Sequence, residues 1–433
     1  MLKINGILPK INLSAIDIRK EHMYKCFVGI DVAKATHVLA VRNAEGEPVG
    51  NTLKFANSLI GFAIAEDRID KLGASKDDIL IGLEVSGNFW ESIYDYLHSK
   101  GYQVVLLNPY STDKYRKMSG SKIKTDKIDA YAIAGYLRLN DFTPAHVAEG
   151  DSKRLRELTR MKANLSSYLK KLKREGYALL HVIFPEFSDH FSSPFSIVSG
   201  AILRKYPNAF SLRRAKSEDL MKIARKVQGN NFSQKKAQEL IKAAKTSVAT
   251  DRVINTRSFN LQILLDQMET TEKSMAAIDE EIGKILVNPL GENDRGIGKK
   301  LSTIPGVGVN TIATIVGELG DIDRFSNAKQ VVKYFGLFPK HSESGVSKKA
   351  NPSMAKCGSS YARHAIYLAA VACLKHNPNL KGVYDRKLAE GKSPVQALIV
   401  VCHKLLHIIY SMLKYDTAFD PQRLFVNRCS ATS

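Results

Sequence analysis

The chain has 433 residues, 44% of them hydrophobic, which is enough for two to four globular domains with separate cores. Its 64 Lys and Arg against 43 Asp and Glu give a formal net charge of +21, which favours a polyanionic partner, nucleic acid before a membrane surface. The most apolar run, Pro394 to Leu413, contains Lys404 and two histidines, and the N-terminus lacks the apolar core of a signal peptide. We therefore expect no membrane-spanning segment.

The five cysteines are scattered along the chain and form no CxxC pair. This spacing predicts reduced thiols in a cytoplasmic protein, with neither a zinc site nor a disulfide framework. They are Cys26, Cys357, Cys373, Cys402 and Cys429.

Residues 1–22 are predicted to be an N-terminal extension, and an α/β domain is predicted over residues 23–150. The domain opens with YKCFVGID, HVLAVRN and VGNTLKFAN, three strands whose close turns make them antiparallel neighbours. Alternating helices and strands follow, giving the order βββαβαβα. That order is typical of a ribonuclease-H-like domain, whereas a doubly wound nucleotide-binding fold would lack the opening meander and would need a glycine-rich first turn.

Residues 151–290 are predicted to form a coiled-coil region with a basic insertion. Apolar residues at heptad-like spacing predict one helix over 152–180 and another over 259–286, paired antiparallel or with another subunit. The insertion begins at Phe184. Residues 151–260 contain 23 Lys and Arg against 9 Asp and Glu, a local excess of 14 positive charges. That concentration favours nucleic-acid binding over a merely solvated helix surface.

Residues 291–433 are predicted to form a mainly helical C-terminal domain. The segment KLSTIPGVGVNTIATIVGEL indicates a helix–hairpin–helix, in which Gly306 and Gly308 would let backbone N–H groups approach a phosphate. A plain helical connection is the alternative interpretation. A serine-rich loop over 340–360 and two apolar helices, over 361–374 and 393–413, complete the domain.

Four acidic residues in the first third of the chain suit a metal-dependent phosphodiester centre. One ends the first predicted strand, one ends an adjacent strand, and two lie three residues apart on one helix face. Carboxylate oxygens are ligands for Mg²⁺, and two such ions about 4 Å apart can neutralise a phosphate and activate a nucleophile. Any one of these acids alone would more often be a turn or surface residue. The acidic quartet is Asp31, Glu84, Asp126 and Asp129.

Three lysines flank the last two acids and could neutralise phosphate oxygens, although ordinary solvated lysines are an equally good interpretation. They are Lys122, Lys124 and Lys127. The serines of the 340–360 loop are candidates for a nucleophile only if a metal or a base activates them, and composition alone selects none of them.

The sequence resembles the DEDD transposases of bacterial and archaeal insertion sequences, a family that includes the pilin-gene invertase and the bridge-RNA-guided recombinases. The resemblance runs from Phe27 to Pro421. Its first block comprises GIDVAKATHVLAV, LEVSGNFWE, LLNPY and KTDKIDA, and its second comprises IPGVGVNTIATIVGELGDIDRF, KYFGLFPKHSESG and SMAKCGSSYARHAIYLAA.

The resemblance implies a RuvC-like N-terminal domain whose D-E-D-D residues are the acidic quartet, with Mg²⁺ as the cofactor. It also implies a serine nucleophile, which the E-S-G segment identifies as Ser344, with Ser342 and Ser347 left as alternatives. In the family, the acids of one subunit meet the serine of another, which implies a homodimer or a homotetramer. A bridge RNA that pairs with donor and target DNA is a further implied partner.

The sequence therefore predicts a DNA transposase or recombinase of an insertion sequence that uses Ser344 with Mg²⁺ assistance. One alternative is a metal-dependent nuclease or junction resolvase that keeps the quartet and uses water. A second alternative is a non-catalytic nucleic-acid-binding protein. The segment between the two long helices is longer than in compact members of the family.

Overall fold

A computed structural model describes most of the chain, in two compact units, Met1–Val147 and Ala148–Ser433. The described residues are 24–85, 87–120, 123–139, 142, 144–145, 150–227, 231–287, 297–339, 343–344, 347–348, 354–355 and 358–421.

The first unit contains a five-stranded mixed sheet in the order β3-β2-β1-β4-β5. The first three strands are antiparallel neighbours, and β1, β4 and β5 are parallel. The predicted opening meander of three antiparallel strands is therefore confirmed, and the structure adds that the whole sheet is mixed. The strands are β1 (Cys26–Asp31), β2 (Thr36–Asn43), β3 (Leu53–Ala56), β4 (Ile79–Glu84) and β5 (Gln103–Leu107).

Four helices accompany this sheet, one more than the sequence predicted. The additional helix is α3, which begins after Asn108, whose side chain accepts a hydrogen bond from the Tyr110 N–H, and which carries a proline in its first turn. Both features are sequence signals for a helix start. The helices are α1 (Leu59–Asp70), α2 (Glu91–Ser99), α3 (Pro109–Met118) and α4 (Asp126–Arg138).

Helix α4 lies directly against the centre of the sheet because two glycines leave room for it. A Cβ atom at Gly29 of β1 would lie 2.1 Å from the Ala130 carbonyl oxygen, and one at Gly82 of β4 would lie 2.8 Å from a methyl group of Leu137. Ile133 and Leu137 of α4 are fully buried in this contact. The two glycines therefore fix α4 across β1 and β4, the strands that end in Asp31 and Glu84.

The second unit is organised around two long helices, α5 (Gly150–Ile183) and α10 (Ile254–Val287). Arg154 pairs with Glu281 at 3.1 Å, and Lys173 pairs with Glu272 at 3.2 Å. Because the residue numbers rise on one helix as they fall on the other, the two helices are antiparallel. The pairing occurs within one chain, which is the first of the two predicted arrangements.

The insertion between these helices, described over residues 184–227 and 231–253, is a packed helical module that shares its core with the two long helices. Its fully buried Phe184 and Phe187 pack with residues of α5 and α10 such as Leu172 and Leu261. We call it the insertion module. Its helices are α6 (Ile197–Lys205), α7 (Ala209–Leu212), α8 (Ser217–Arg225) and α9 (Gln234–Lys245).

The C-terminal part contains six described helices, including two that the sequence did not predict, α13 and α15. The serine-rich stretch over 340–360 is more than a loop, because β6 (Glu343–Ser344) pairs antiparallel with β7 (Ser347–Lys348). The helices are α11 (Ile297–Leu301), α12 (Val309–Leu319), α13 (Ala328–Tyr334), α14 (Ser360–His376), α15 (Pro378–Ala389) and α16 (Pro394–Lys414).

We expected no membrane-spanning segment, but helix α16 has the length and composition of one. Its most apolar window is nevertheless half buried inside the protein. Val401, Leu405 and Ile409 on its inner face are fully buried in the core of the C-terminal part. Packing in this core therefore explains the apolar composition of α16.

Helix α12 packs directly on α5 at a buried ion pair. The guanidinium of Arg160 donates to both carboxylate oxygens of Glu318, at 2.7 and 3.0 Å, and the Glu318 side chain is 0% exposed. The backbones approach closely beside this pair, since a Cβ atom at Gly317 would lie 2.6 Å from the Arg156 nitrogen. The ion pair and this close approach together fix the register of α12, and with it the C-terminal part, on α5.

Candidate active site

Two of the predicted acids lie at one edge of the sheet. Asp31 is the last residue of β1, and Glu84 is the last residue of β4. The two strands are parallel neighbours, with Ile30 beside Leu83 in the register. Because parallel strands run in the same direction, their terminal side chains emerge at the same edge.

The other two acids lie in the first turn of α4. The Thr125 side chain caps this helix by accepting a hydrogen bond from the Ile128 N–H, so the helix begins at Asp126. Asp126 is exposed and Asp129 is partly buried. Since α4 crosses β1 and β4, its first turn reaches the sheet edge that carries Asp31 and Glu84.

The pKa of Asp31 reflects the charges of the other three acids. Burial raises the pKa of Asp31 to about 7, and the negative charges of Asp129, Asp126 and Glu84 contribute to the rise, while Lys124 opposes them. Burial also raises the pKa of Asp129, against the positive charges of Arg116 and Lys124. The structure therefore places an excess of negative charge at this edge.

Helix α3, which the sequence did not predict, contacts two of the four acids. The hydroxyl of Thr112 donates a hydrogen bond to Oε2 of Glu84 at 2.7 Å. The Nε atom of Arg116 lies 3.1 Å from Oδ1 of Asp129. Both α3 residues are buried, at 3% and 7% exposure. The asparagine–proline start of α3 is the sequence signal that could have identified them.

The donor chemistry of the quartet fits a hard divalent cation. Carboxylate oxygens are suitable ligands for such an ion, and a cation would offset both the burial and the neighbouring negative charges that raise the pKa of Asp31. Within the described ranges, however, no three His, Cys, Asp or Glu side chains converge closely enough to hold a metal as they stand. The carboxylates are neighbours in an open arrangement, and one oxygen of Asp129 is held by Arg116.

Comparison with protein-family models identifies the chain from both of its halves. A transposase model, DEDD_Tnp_IS110, matches residues 28–185, which include the whole quartet. A second model, described as the transposase IS116/IS110/IS902 family, matches residues 298–385. Together the two matches cover more than half of the chain. The chain belongs to this family of insertion-sequence transposases.

Relatives of this transposase extend the similarity over nearly the full length. The pilin gene-inverting protein of Moraxella bovis is 23% identical over 399 residues, which span 92% of this chain and 98% of the relative. The insertion element IS110 43.6 kDa protein of Streptomyces coelicolor is 22% identical over 408 residues, 91% of this chain and 95% of the relative. The transposase for insertion sequence element IS1111A of Coxiella burnetii is 28% identical over 118 residues, 27% of this chain and 32% of the relative.

The three lysines that were predicted to flank the acids differ in where the structure places them. Lys124 is exposed, and its charge lowers the pKa of both Asp31 and Asp129, so it lies near the acids. Lys127 is also exposed, on the first turn of α4. Lys122 lies outside the described residues.

The predicted hairpin glycines and serines lie in the second unit, apart in sequence from the acids. Gly306 has a φ of +93°, and a Cβ atom there would lie 2.8 Å from the Cys373 nitrogen, so this glycine is also required for packing against α14. Gly308 is the exposed N-cap residue of α12. The backbone of Ser344 in β6 lies opposite that of Ser347 in β7, and Ser342 lies outside the described residues.

Proposed function

We propose that this transposase is a DNA recombinase of an insertion sequence, which cleaves and exchanges strands at a Mg²⁺-dependent, RuvC-like centre. The observation that carries the proposal is that Asp31 and Glu84 end neighbouring parallel strands at one edge of the sheet, where the charges of Asp126 and Asp129 also act on Asp31. The sheet order β3-β2-β1-β4-β5, with acids at the ends of β1 and β4, supports the RuvC-like assignment. The metal ligands in this proposal are Asp31, Glu84, Asp126 and Asp129.

The nucleophile in this proposal is the hydroxyl of Ser344. When bound at the quartet, Mg²⁺ would neutralise phosphate oxygens and favour the deprotonated nucleophile. The serine oxygen forms a bond to phosphorus, one ester bond of the DNA backbone breaks, and the released sugar oxygen takes up a proton. A sugar hydroxyl of the partner strand then attacks the phosphoserine, which restores the ester bond and frees Ser344. Lys124 lies near enough to the acids to neutralise a phosphate oxygen there.

The proposed assembly is a homodimer or homotetramer that acts on donor and target DNA in the cytoplasm, with a bridge RNA as a further partner. The acids lie in the first compact unit and Ser344 lies in the second. The quartet of one subunit would then act with the serine of another subunit.

The insertion module supports nucleic-acid binding through the placement of its cations. Arg204, beside the long helix α10, is neutralised by Asp266 and Glu269. Five exposed cations on and after α8 and on α9 form no ion pair with any other described residue. They are Arg225, Lys226, Lys235, Lys242 and Lys245. Unneutralised cations at such positions are suited to a phosphate backbone.

The salt dependence of DNA binding tests this role of the module. Changing Lys235, Lys242 and Lys245 together to glutamine should reduce the slope of log affinity against log salt concentration by about 0.9 for each phosphate that is no longer neutralised. Arg204→Gln is the matched control, since that cation already has two carboxylate partners. Equal slopes for the triple variant and the unchanged protein would exclude the module from DNA binding.

Trapping of a covalent intermediate tests the proposed chemistry. With Mg²⁺ and a DNA substrate that carries the element ends, the unchanged protein should form a protein–DNA adduct that resists denaturation. Ser344→Ala should abolish both the adduct and recombination, while Ser342→Ala and Ser347→Ala should retain both. Full recombination by Ser344→Ala would overturn the nucleophile assignment. Hydrolysed DNA ends without an adduct would indicate a nuclease or resolvase that uses water.

A further inference from the structure

We infer that α3 is the positioning helix of the acidic site, with Thr112 fixing the carboxylate of Glu84 and Arg116 fixing that of Asp129. The inference rests on the proposed metal-dependent function and extends it to two residues outside the quartet. Thr112 and Arg116 are four residues apart, so they share one face of α3. Both side chains are buried on that face, which is the face turned toward the acids.

The Thr112 hydroxyl has one proton and two nearby acceptors. Oε2 of Glu84 lies 2.7 Å away, and the carbonyl oxygen of Pro109 lies 3.0 Å away. The carboxylate oxygen is the nearer of the two and, when Glu84 is ionised, the stronger acceptor. Because Thr112 is β-branched and 3% exposed, its side chain has little freedom to rotate away. Glu84 is thereby held in one orientation at the end of β4.

Arg116 joins three parts of the site through different nitrogen atoms. One terminal nitrogen pairs with Asp113 of the same helix, and Nε lies 3.1 Å from Oδ1 of Asp129. The other terminal nitrogen donates to the Ile123 carbonyl, at 3.4 Å, in the segment that leads into α4. A planar guanidinium presents donors in several fixed directions, which a single lysine ammonium group cannot reproduce.

The contact between α3 and α4 makes this arrangement rigid. A Cβ atom at Gly135 would lie 2.5 Å from the Tyr115 hydroxyl, so the two helices approach closely at that glycine. The positions of Thr112 and Arg116 relative to the first turn of α4 are therefore set by packing. Outer contacts that orient ligating carboxylates typically contribute about 10–100-fold to metal affinity or activity. The same role is expected here for these two contacts.

Calorimetric titration of the full-length protein with Mn²⁺ tests the inference without measuring recombination. Thr112→Val keeps the shape of the side chain but removes the donor, and it should weaken Mn²⁺ binding about 10-fold or more. Thr112→Ser keeps the hydroxyl and should restore the affinity of the unchanged protein. The thermal unfolding temperature of each variant should remain close to that of the unchanged protein. If Thr112 had a purely structural role, Thr112→Val would instead lower the unfolding temperature and the Mn²⁺ affinity together.

A charge-conserving pair on the same helix provides the matched control. Arg116→Lys keeps the positive charge but loses the fork, and it should weaken Mn²⁺ binding about 10-fold. Lys117→Arg alters the next residue, which is exposed and pairs with Asp113, and this variant should bind Mn²⁺ as the unchanged protein does. This pair decides the question should Thr112→Val fail to fold.

Two results would contradict the inference in distinguishable ways. Unchanged Mn²⁺ affinity in both Thr112→Val and Arg116→Lys, together with loss of binding in Asp31→Asn, would overturn the role of α3 and leave the proposed metal centre intact. An unchanged protein that binds no Mn²⁺ would overturn both the inference and the metal-dependent function.

Discussion

Each of the two units contains an arginine that contacts a partly or wholly buried carboxylate, and the surroundings of the two carboxylates differ. In the second unit, Arg160 donates to both oxygens of Glu318, whose side chain is 0% exposed. In the first unit, Arg116 contacts one oxygen of Asp129, whose side chain is 16% exposed. Glu318 has a second cation nearby, since Arg156 lies 3.8 Å away, whereas the second cation that acts on Asp129, Lys124, is opposed by the acids Asp126 and Asp113.

We interpret this difference as that between a structural ion pair and one that, in the proposed function, orients a metal ligand. The charge of Glu318 is fully balanced, and the pair joins two helices that must keep one register. Asp129 is one of several acids at this edge of the sheet, and Arg116 alone does not neutralise their combined negative charge. Such uncompensated charge destabilises a fold unless a bound ligand neutralises it. We therefore expect changes at Arg160 and Glu318 to alter stability, and changes at Asp129 to alter activity.

The largest expected effect is on activity at the quartet. Asp126→Asn combined with Asp129→Asn should reduce recombination by more than about 100-fold, because removing ligands costs more than removing the groups that orient them. The thermal unfolding temperature should change little, since Asp126 is exposed and an asparagine at position 129 keeps an oxygen that can accept from Arg116. Asp67→Asn, an exposed acid of α1 that pairs with Lys71, serves as the control and should recombine normally. Normal recombination by the double variant would place the chemistry elsewhere.

The next effect concerns stability at the buried pair. Arg160→Met leaves the Glu318 charge buried and should lower the free energy of unfolding by about 3 kcal/mol, measured by denaturant titration. Adding Glu318→Met should recover much of that loss, because no unpaired charge is then buried. Arg154→Met removes a more exposed pair with Glu281 and should cost less than about 1 kcal/mol. A similar loss for Arg154→Met and Arg160→Met would show that burial does not distinguish them.

A third prediction concerns the backbone contact that brings α4 to the acids. Gly29→Ala places a methyl group against the Ala130 carbonyl and should destabilise the protein by about 1–3 kcal/mol, with a loss of activity as α4 shifts. Gly200→Ala lies in α6, where a Cβ atom meets nothing within 4 Å, and should instead stabilise by about 0.5–1 kcal/mol. Thermal unfolding of the two variants measures both, and a stable Gly29→Ala protein would contradict the contact.

The smallest effect is the pH dependence caused by Asp31. Its pKa is about 7 in the folded protein, against an ordinary value of 3.8, so the folded state binds more protons between these values. Stability contributed by this group is therefore present below pH 4 and is lost as the pH rises through 7. Asp31→Asn should raise the metal-free stability at pH 8 by about 1–2 kcal/mol after allowance for solvent screening, and should change it little at pH 4. Equal stabilities at pH 8 would show that neither burial nor the neighbouring acids disfavour the ionised form of Asp31.

Much of the sheet and the acids at its edge could be predicted because the signals are local. Strands β1 and β4 are continuous apolar runs that end in an acid, and the Thr125 cap places two more acids in one helical turn. Helix α3 was missed because its buried positions are Thr112 and Arg116, both polar. A search for apolar periodicity cannot detect such a helix, and only its asparagine–proline start marks it.

The sequence by itself determined the residue types of the quartet, their strand ends and helix turn, and the two long helices with their basic insertion, whereas the structure decided that the long helices pair antiparallel within one chain. The features that the sequence determined follow from connectivity, turn chemistry and apolar spacing, which act over short stretches of chain. The tertiary structure alone decided which buried polar groups meet the acids and how far burial shifts the pKa of Asp31. Those properties depend on the convergence of β1, β4, α3 and α4, segments separated by up to about a hundred residues, and on the exclusion of water where they meet.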